Sequence, residues 1–130
     1  MYSIGDVAKA TGIKVPTIRF YEQEGLLPAP PRTASGRRVY SDAEVRRLSF
    51  IRHARALGFE LDDIRSLLDL SDRPDRPCDI ADAIATRHLK EVEERLRQLE
   101  ALRSELSRIV KSCGGARVSR ECRVIEALAG

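Results

Sequence analysis

The sequence predicts a mostly α-helical protein: an N-terminal winged helix-turn-helix, then one long helix, then a short cysteine-bearing tail. Three observations lead there. Two short amphipathic segments, one stopped by Gly12 and one by Gly25, are joined by a tight glycine-containing turn. A turn-rich stretch, "LPAPPRTASGRRVY", follows them. From Asp79 to about Ser112 there is neither Pro nor Gly, and apolar side chains recur at helical spacing. The composition agrees: 130 residues with 42% apolar, 33% charged and only 5% aromatic side chains is globular and helix-leaning.

Each element has its local cause. Ser3 followed by Asp6 resembles a capping box, with Asp in place of the usual Glu or Gln. Ile4, Val7 and Ala8 then give the first helix its apolar side, and Gly12 stops it. Pro16 suits the first turn of the second helix, where a missing N–H costs nothing. Ile18, with Tyr21 or Phe20, forms its apolar face. "RRVY", residues 37–40, reads as a short strand completing a wing. Ser41 to Glu44 is a second capping box, opening a helix with Val45, Leu48, Ile51 and Leu57 on one side and Gly58 at its end. "ELDDIRSLLDL" is a further short helix with Leu61, Ile64, Leu67 and Leu68 on one face. "SDRPDRPC" reads as a hinge.

The long helix carries Ile80, Ile84, Leu89, Val92, Leu96, Leu99, Leu102, Leu106 and Ile109 as a single stripe. So small a body cannot cover that stripe, which predicts a homodimeric coiled coil. The tail "RVIEALAG" adds a short helix after Cys122.

Charge is unevenly spread. Residues 1–58 hold ten Lys/Arg against five Asp/Glu, whereas the rest is slightly acidic, and the net charge is +3. A basic N-terminal half points to a polyanion or simply to a soluble surface. There is no membrane-length apolar run and no charged-then-apolar leader, so a cytoplasmic location without membrane contact is expected.

Three cysteines in such a chain favour metal or redox chemistry over a disulfide framework, although a thiol also serves as a small core residue. Cys78 and Cys113 bracket the long helix, about 50 Å apart at ~1.5 Å per residue. They cannot meet within one chain. Cys113 and Cys122 can, through the loop containing Gly114 and Gly115. Antiparallel pairing would bring Cys78 of one chain beside the Cys113–Cys122 loop of its partner, giving two three-thiol sites per dimer; parallel pairing would not. Three thiolates suit soft cations such as Hg(II) and Pb(II), while Zn(II) and Cd(II) usually take a fourth ligand. His88 is read as a surface or packing residue and His53 as a backbone-facing or packing one, neither as a ligand. A regulatory disulfide between Cys113 and Cys122 is the other reading.

"SIGDVAKATGIKVPTIRFYEQEGLLPAPPR", then "RRVY", then "FIRHARALGFELDDIRSLL", is similar in order and over essentially the whole chain to the MerR family of transcriptional regulators. "TIRFYEQEGLL" is its most specific part. The resemblance implies a domain division. Residues 1–70 would be the winged helix-turn-helix DNA-binding domain, 71–78 a hinge, 79–112 the dimerisation helix, and 113–130 a metal-binding loop with a short C-terminal helix.

The short chain with one long helix and a Cys-bearing loop resembles the metal-sensing branch. Members sensing organic molecules carry a larger C-terminal domain, and the redox branch carries four clustered cysteines. Copper- and gold-type sensors have Ser where Cys78 stands, so Cys78, Cys113 and Cys122 point to a soft divalent ion. Pb(II) or Cd(II) is placed first, with Zn(II) or Hg(II) next. Zinc sensors commonly add a Cys and a His that this loop lacks.

The resemblance further implies a homodimer on a near-palindromic promoter operator, acting with RNA polymerase. The second helix would enter the major groove with Thr17, Arg19 and Tyr21, and Lys14 near its start. Arg37, Arg38 and Tyr40 of the wing, with Arg52, would hold phosphates; Tyr21 fits a core position equally. Metal would switch the dimer from repression to activation by changing how it distorts the DNA, controlling efflux or resistance genes.

A thiol-redox or Cu(I)-responsive regulator using Cys113 and Cys122 alone is the alternative. An enzyme is not expected, since no phosphate loop, nucleophile motif or acid/base pair stands out. A metal buffer without a DNA role would leave the basic half and "TIRFYEQEGLL" unexplained.

Overall fold

The computed structural model describes residues 1–28, 30–113, 120 and 122–130, with Cys113 described by its backbone alone. Six helices follow one another: α1 (Ile4–Thr11), α2 (Val15–Gln23), α3 (Asp42–Ala56), α4 (Leu61–Ser71), α5 (Asp79–Cys113) and α6 (Arg123–Ala129). Two compact units divide the chain, Met1–Ile84 and Ala85–Gly130.

In the first unit, α1 packs on α2 and α3, and α3 on α4. Both capping boxes form. The Ser3 hydroxyl accepts from the Asp6 N–H at 3.2 Å while the Asp6 carboxylate accepts from the Ser3 N–H at 3.3 Å. Ser41 and Glu44 repeat the arrangement at the start of α3. Each box satisfies amide groups that a helix start otherwise leaves without partners.

The α1–α2 turn is fixed from inside and outside. Thr11 Oγ1 donates to the Val7 carbonyl at 2.8 Å and accepts from the Ile13 N–H at 3.3 Å. Gly12 holds a φ of 72°, which a residue with a Cβ adopts only at a cost.

Val7, Ile18, Leu26, Leu27, Tyr40, Leu48, Ile51 and Ile64 are the largest fully buried side chains. Side chains from α1 to α4 and the wing thus share one core.

Two expected details differ. Leu57, expected on the buried side of α3, is 59% exposed, and Ala54 is buried instead. Leu57 stands nine positions beyond Leu48, about two and a half helical turns, and therefore on the opposite side. "RRVY" forms no strand among the described residues; it contributes two isolated antiparallel bridges, Tyr2 with Tyr40 and Arg32 with Arg38. Pro28, Pro30 and Pro31 have no N–H to give a longer ladder. The bridges suffice to close the wing. Tyr2 and Tyr40 exchange both backbone hydrogen bonds at 2.8 Å, and the Thr33 N–H donates to the Arg37 carbonyl at 2.7 Å.

The second unit is the greater part of α5 followed by α6. Charged i,i+3 pairs such as Arg97–Glu94 and Arg103–Glu100 decorate α5. Its Leu89, Val92, Leu96, Leu99, Leu102, Leu106 and Val110 remain 42–65% exposed, whereas Ile109 is buried. None of the described helices is long and apolar enough to cross a membrane.

Candidate metal centre and nucleic-acid interface

The basic surface is built by α2 and the wing together. Lys14 caps the start of α2 and is exposed, as is Arg19, while Thr17 is half-buried. Arg19, Arg32, Arg37 and Arg38 line one open groove of about 510 Å³, with Ser3, Ile4 and Gly36. Four guanidinium groups around one concavity focus a positive potential, which draws polyanions.

Arg32 is an addition to the residues legible in the sequence. It reaches the groove because it pairs with Arg38 across the wing turn, and its Nη1 donates to the Gly36 carbonyl at 3.0 Å. The signal available was its position in "PPR", mirrored by "RRVY" across the turn.

Of the two tyrosines named for the DNA surface, Tyr21 was equally a core candidate, and the rings of both are buried. Tyr40 is 0% exposed and Tyr21 only 7%, both in the core, whereas Phe20 is 42% exposed. The reason is that a tyrosine ring gains by burial once its hydroxyl finds a partner. The Tyr40 hydroxyl donates to Glu22 on α2, and Arg38 pairs with the same carboxylate at 3.1 Å. Burial pushes the Tyr40 phenol well above its ordinary pKa, and the hydrogen bond to Glu22 adds to it. Tyr40 therefore holds Glu22, and through it Arg38, beside the groove from within the core. Arg38 is shared between groove and Glu22, so part of its charge is already neutralised.

Arg52, on the exposed side of α3, lies over the helix-turn-helix turn. A Cβ at Gly12 would come within 3.1 Å of its guanidinium carbon. Glycine there admits both the positive φ and the close approach. Among the described residues, Lys14, Arg19 and Arg52 have no ion-pair partner, so their charge is available. His53, read as a packing residue, is exposed.

The three thiols sit at helix ends. Cys78 immediately precedes α5, and its carbonyl accepts from the Asp82 N–H at 2.9 Å; its side chain is exposed. Cys113 is the last residue of α5. Cys122 is the N-cap of α6, half-buried. The expected loop between them, residues 114–119 and 121, lies outside the described residues.

Among the described residues no three His, Cys, Asp or Glu side chains gather into a metal cage within one chain. A 35-residue helix, about 50 Å long, separates Cys78 from Cys113 along the sequence. The donor chemistry itself fits a soft cation, being all sulfur. His88, half-buried, faces Glu91 at 3.6 Å from Nδ1.

Comparison with known proteins adds two matching family profiles. Residues 2–71 match the family described as MerR HTH family regulatory protein, and residues 45–109 that described as MerR, DNA binding. The HTH-type transcriptional regulator ZntR of Escherichia coli (strain K12) is 39% identical over 98% of this chain and 92% of its own length. The mercuric resistance operon regulatory protein of Serratia marcescens is 38% identical over 98% of this chain and 88% of its own. Among solved structures, the transcription regulator PbrR691 from Ralstonia metallidurans CH34, crystallised in complex with lead(II), superposes with a TM-score of 0.85. It is 42% identical and covers 98% of this chain and 99% of that one.

Proposed function

The chain belongs to the MerR family of regulatory proteins, and from that premise we propose that it is a metal-responsive transcriptional regulator with a soft divalent ion as effector. Its relatives are regulators of transcription, not enzymes. In this reading a cytoplasmic homodimer binds promoter DNA, each α2 in a major groove and each wing on the flanking backbone. Arg19 and Lys14 would meet the groove, with Thr17 at its edge. Arg32, Arg37, Arg38 and Arg52 would meet phosphates.

The observation that carries the metal reading is the placement of thiols at both ends of one long helix whose leucine stripe is exposed. Antiparallel pairing would cover the stripe and set Cys78 of one chain beside Cys113 and Cys122 of its partner. A soft ion held there would supply a bridge between the two chains. Pb(II) or Cd(II) is placed first and Zn(II) or Hg(II) next; Pb(II) and Hg(II) accept three sulfurs alone, whereas Cd(II) and Zn(II) would add a fourth ligand. Support comes from the relatives, one named for mercuric resistance and one crystallised with lead(II).

The proposed output is a switch from repression to activation at genes of metal efflux or resistance. With its thiols ligated, the dimer would bend and untwist the promoter spacer so that RNA polymerase engages both elements. The energetic requirement is a coupling between thiol site and DNA deformation, typically about 1–3 kcal/mol. Transcription in vitro from promoter-length DNA of the protein's own operon region, with and without Cd(II), tests this. A shifted complex at low salt and a rise in transcript with metal are expected. Failure to bind that DNA at low salt would remove the regulator reading.

A further inference from the structure

The end of the recognition helix is held by side chains from two other helices, and one of them also grips the start of the hinge. Arg47 of α3 donates from Nε to the Leu26 carbonyl at 2.7 Å. From Nη1 it donates to both carboxylate oxygens of Asp72, at 2.8 and 3.1 Å. Leu26 lies just past α2, where its own N–H returns to the Tyr21 carbonyl at 3.0 Å. Asp72 is the C-cap of α4, the first residue of the turn that leads to Cys78. Arg65 of α4 adds a second tie, donating from Nη1 to the Glu24 carbonyl and lying 3.6 Å from the Glu24 carboxylate.

We propose that Arg47 is a positioning residue that transmits the state of the hinge after α4 to the recognition helix α2. The proposal deepens the regulator reading above and rests on it.

Three features single out Arg47 among the arginines of this unit. Its guanidinium holds the Leu26 carbonyl from Nε and the Asp72 carboxylate from Nη1, a fixed planar geometry that a lysine's single ammonium does not reproduce. Its two partners belong to the two segments that a switch must connect: the end of α2 and the turn before Cys78. It is also half-buried against them, whereas Asp72 is exposed and the pair Arg73–Asp69 next to it is a plain surface contact. If Asp72 shifts when the hinge rearranges, Arg47 must follow it or release Leu26. Either change repositions the carbonyl end of α2 relative to α3. Coupling through such a contact is of the size that single substitutions along a two-state element alter, about two- to thirtyfold.

The test uses full-length Arg47→Lys, Asp72→Asn and the double variant, with Arg73→Gln as the neighbouring control. Three quantities are read for each: affinity for promoter DNA without metal, Cd(II) affinity, and the ratio of transcript with and without Cd(II). Asp72→Asn keeps the bond from Arg47 to Leu26 and sits on the surface, so it folds.

The expected result is near wild-type DNA and Cd(II) affinity in Asp72→Asn and Arg47→Lys. The Cd(II)-dependent transcript ratio should fall about two- to thirtyfold in each. The double variant should be no worse than the stronger single, and Arg73→Gln should match wild type.

A wild-type ratio in both single variants would overturn the proposal. So would additive losses in the double, or a loss of metal-free DNA affinity that accounts for the whole change in ratio. A wild-type protein with no transcript response to Cd(II), Pb(II), Zn(II) or Hg(II) would instead remove the metal-responsive reading, and the proposal with it.

Discussion

Residues 1–84 and residues 85–130 bury their apolar side chains very differently. The first unit closes on itself: Val7, Ile18, Leu26, Leu27, Tyr40, Leu48, Ile51 and Ile64 are sealed by one another. The second holds a helix whose Leu89, Leu96, Leu99, Leu102 and Leu106 all stand in solvent. At roughly 25 cal/mol for each Å² of apolar surface removed from water, leaving that stripe open forfeits a large stabilisation. The lesson is that the two units answer to different requirements. The first is shaped to be rigid and to present charge. The second leaves its stripe open, which a partner chain would cover in the proposed dimer; Cys113 and Cys122 belong to this unit and Cys78 to the first.

Substitutions should therefore act on the two units in different ways. Leu48→Ala, in the sealed core, should cost about 2–5 kcal/mol, read as a lower urea midpoint at any protein concentration. Leu102→Glu, in the open stripe, should instead leave isolated-chain stability nearly unchanged and weaken self-association by about tenfold or more in sedimentation equilibrium. Equal concentration dependence in both variants would break the comparison.

Next in size is the brace behind the wing. Tyr40→Phe removes the donor to a buried Glu22 and should cost about 1–3 kcal/mol. The same contact has a pH signature. The Tyr40 pKa is raised above the ordinary 10.0, first by burial and then by Glu22. Below about pH 10 the phenol is protonated in both folded and unfolded chains, and its contribution is fully present. Above that the unfolded chain gives up its proton while the folded chain keeps it, so stability falls as pH rises. Thermal melts of wild type from pH 8 to about 11 should show this decline, and Tyr40→Phe should flatten it.

Smaller effects belong to the groove. Arg37→Gln should weaken promoter binding uniformly across sequences and lower the slope of log affinity against log salt by about 1. Arg38→Gln should lower it by less, because Glu22 already shares that charge. Smallest of all, Arg103→Gln on α5 should leave the melting temperature within about 1 °C, since its pair with Glu100 is solvent-exposed.

Much of the first unit was legible because its signals are local. The capping residues Ser3 and Ser41, the stop at Gly12 and Pro16 in a first turn each act within a few positions of themselves. What escaped depended on distant partners. Tyr40 carries both a ring and a hydroxyl, and the position of Glu22 decides which end wins. Arg32 enters the groove by pairing across the wing with Arg38. Ala54 replaces Leu57 in the core because helix phase outranks hydrophobicity there. The proposed thiol site was legible as spacing alone, because its assembly would need a second chain, which no reading of one chain contains.

The central claim is that the thiols of two chains share one metal site. Anaerobic titration of the reduced dimer with Cd(II), Pb(II), Zn(II) and Hg(II), following thiolate-to-metal absorption in wild type and Cys78→Ser, tests it most directly. The account predicts saturation at about one ion per chain, with a band that weakens or shifts in Cys78→Ser. Absence of tight binding, or binding indifferent to Cys78, would contradict it and leave a switch built on Cys113 and Cys122 alone.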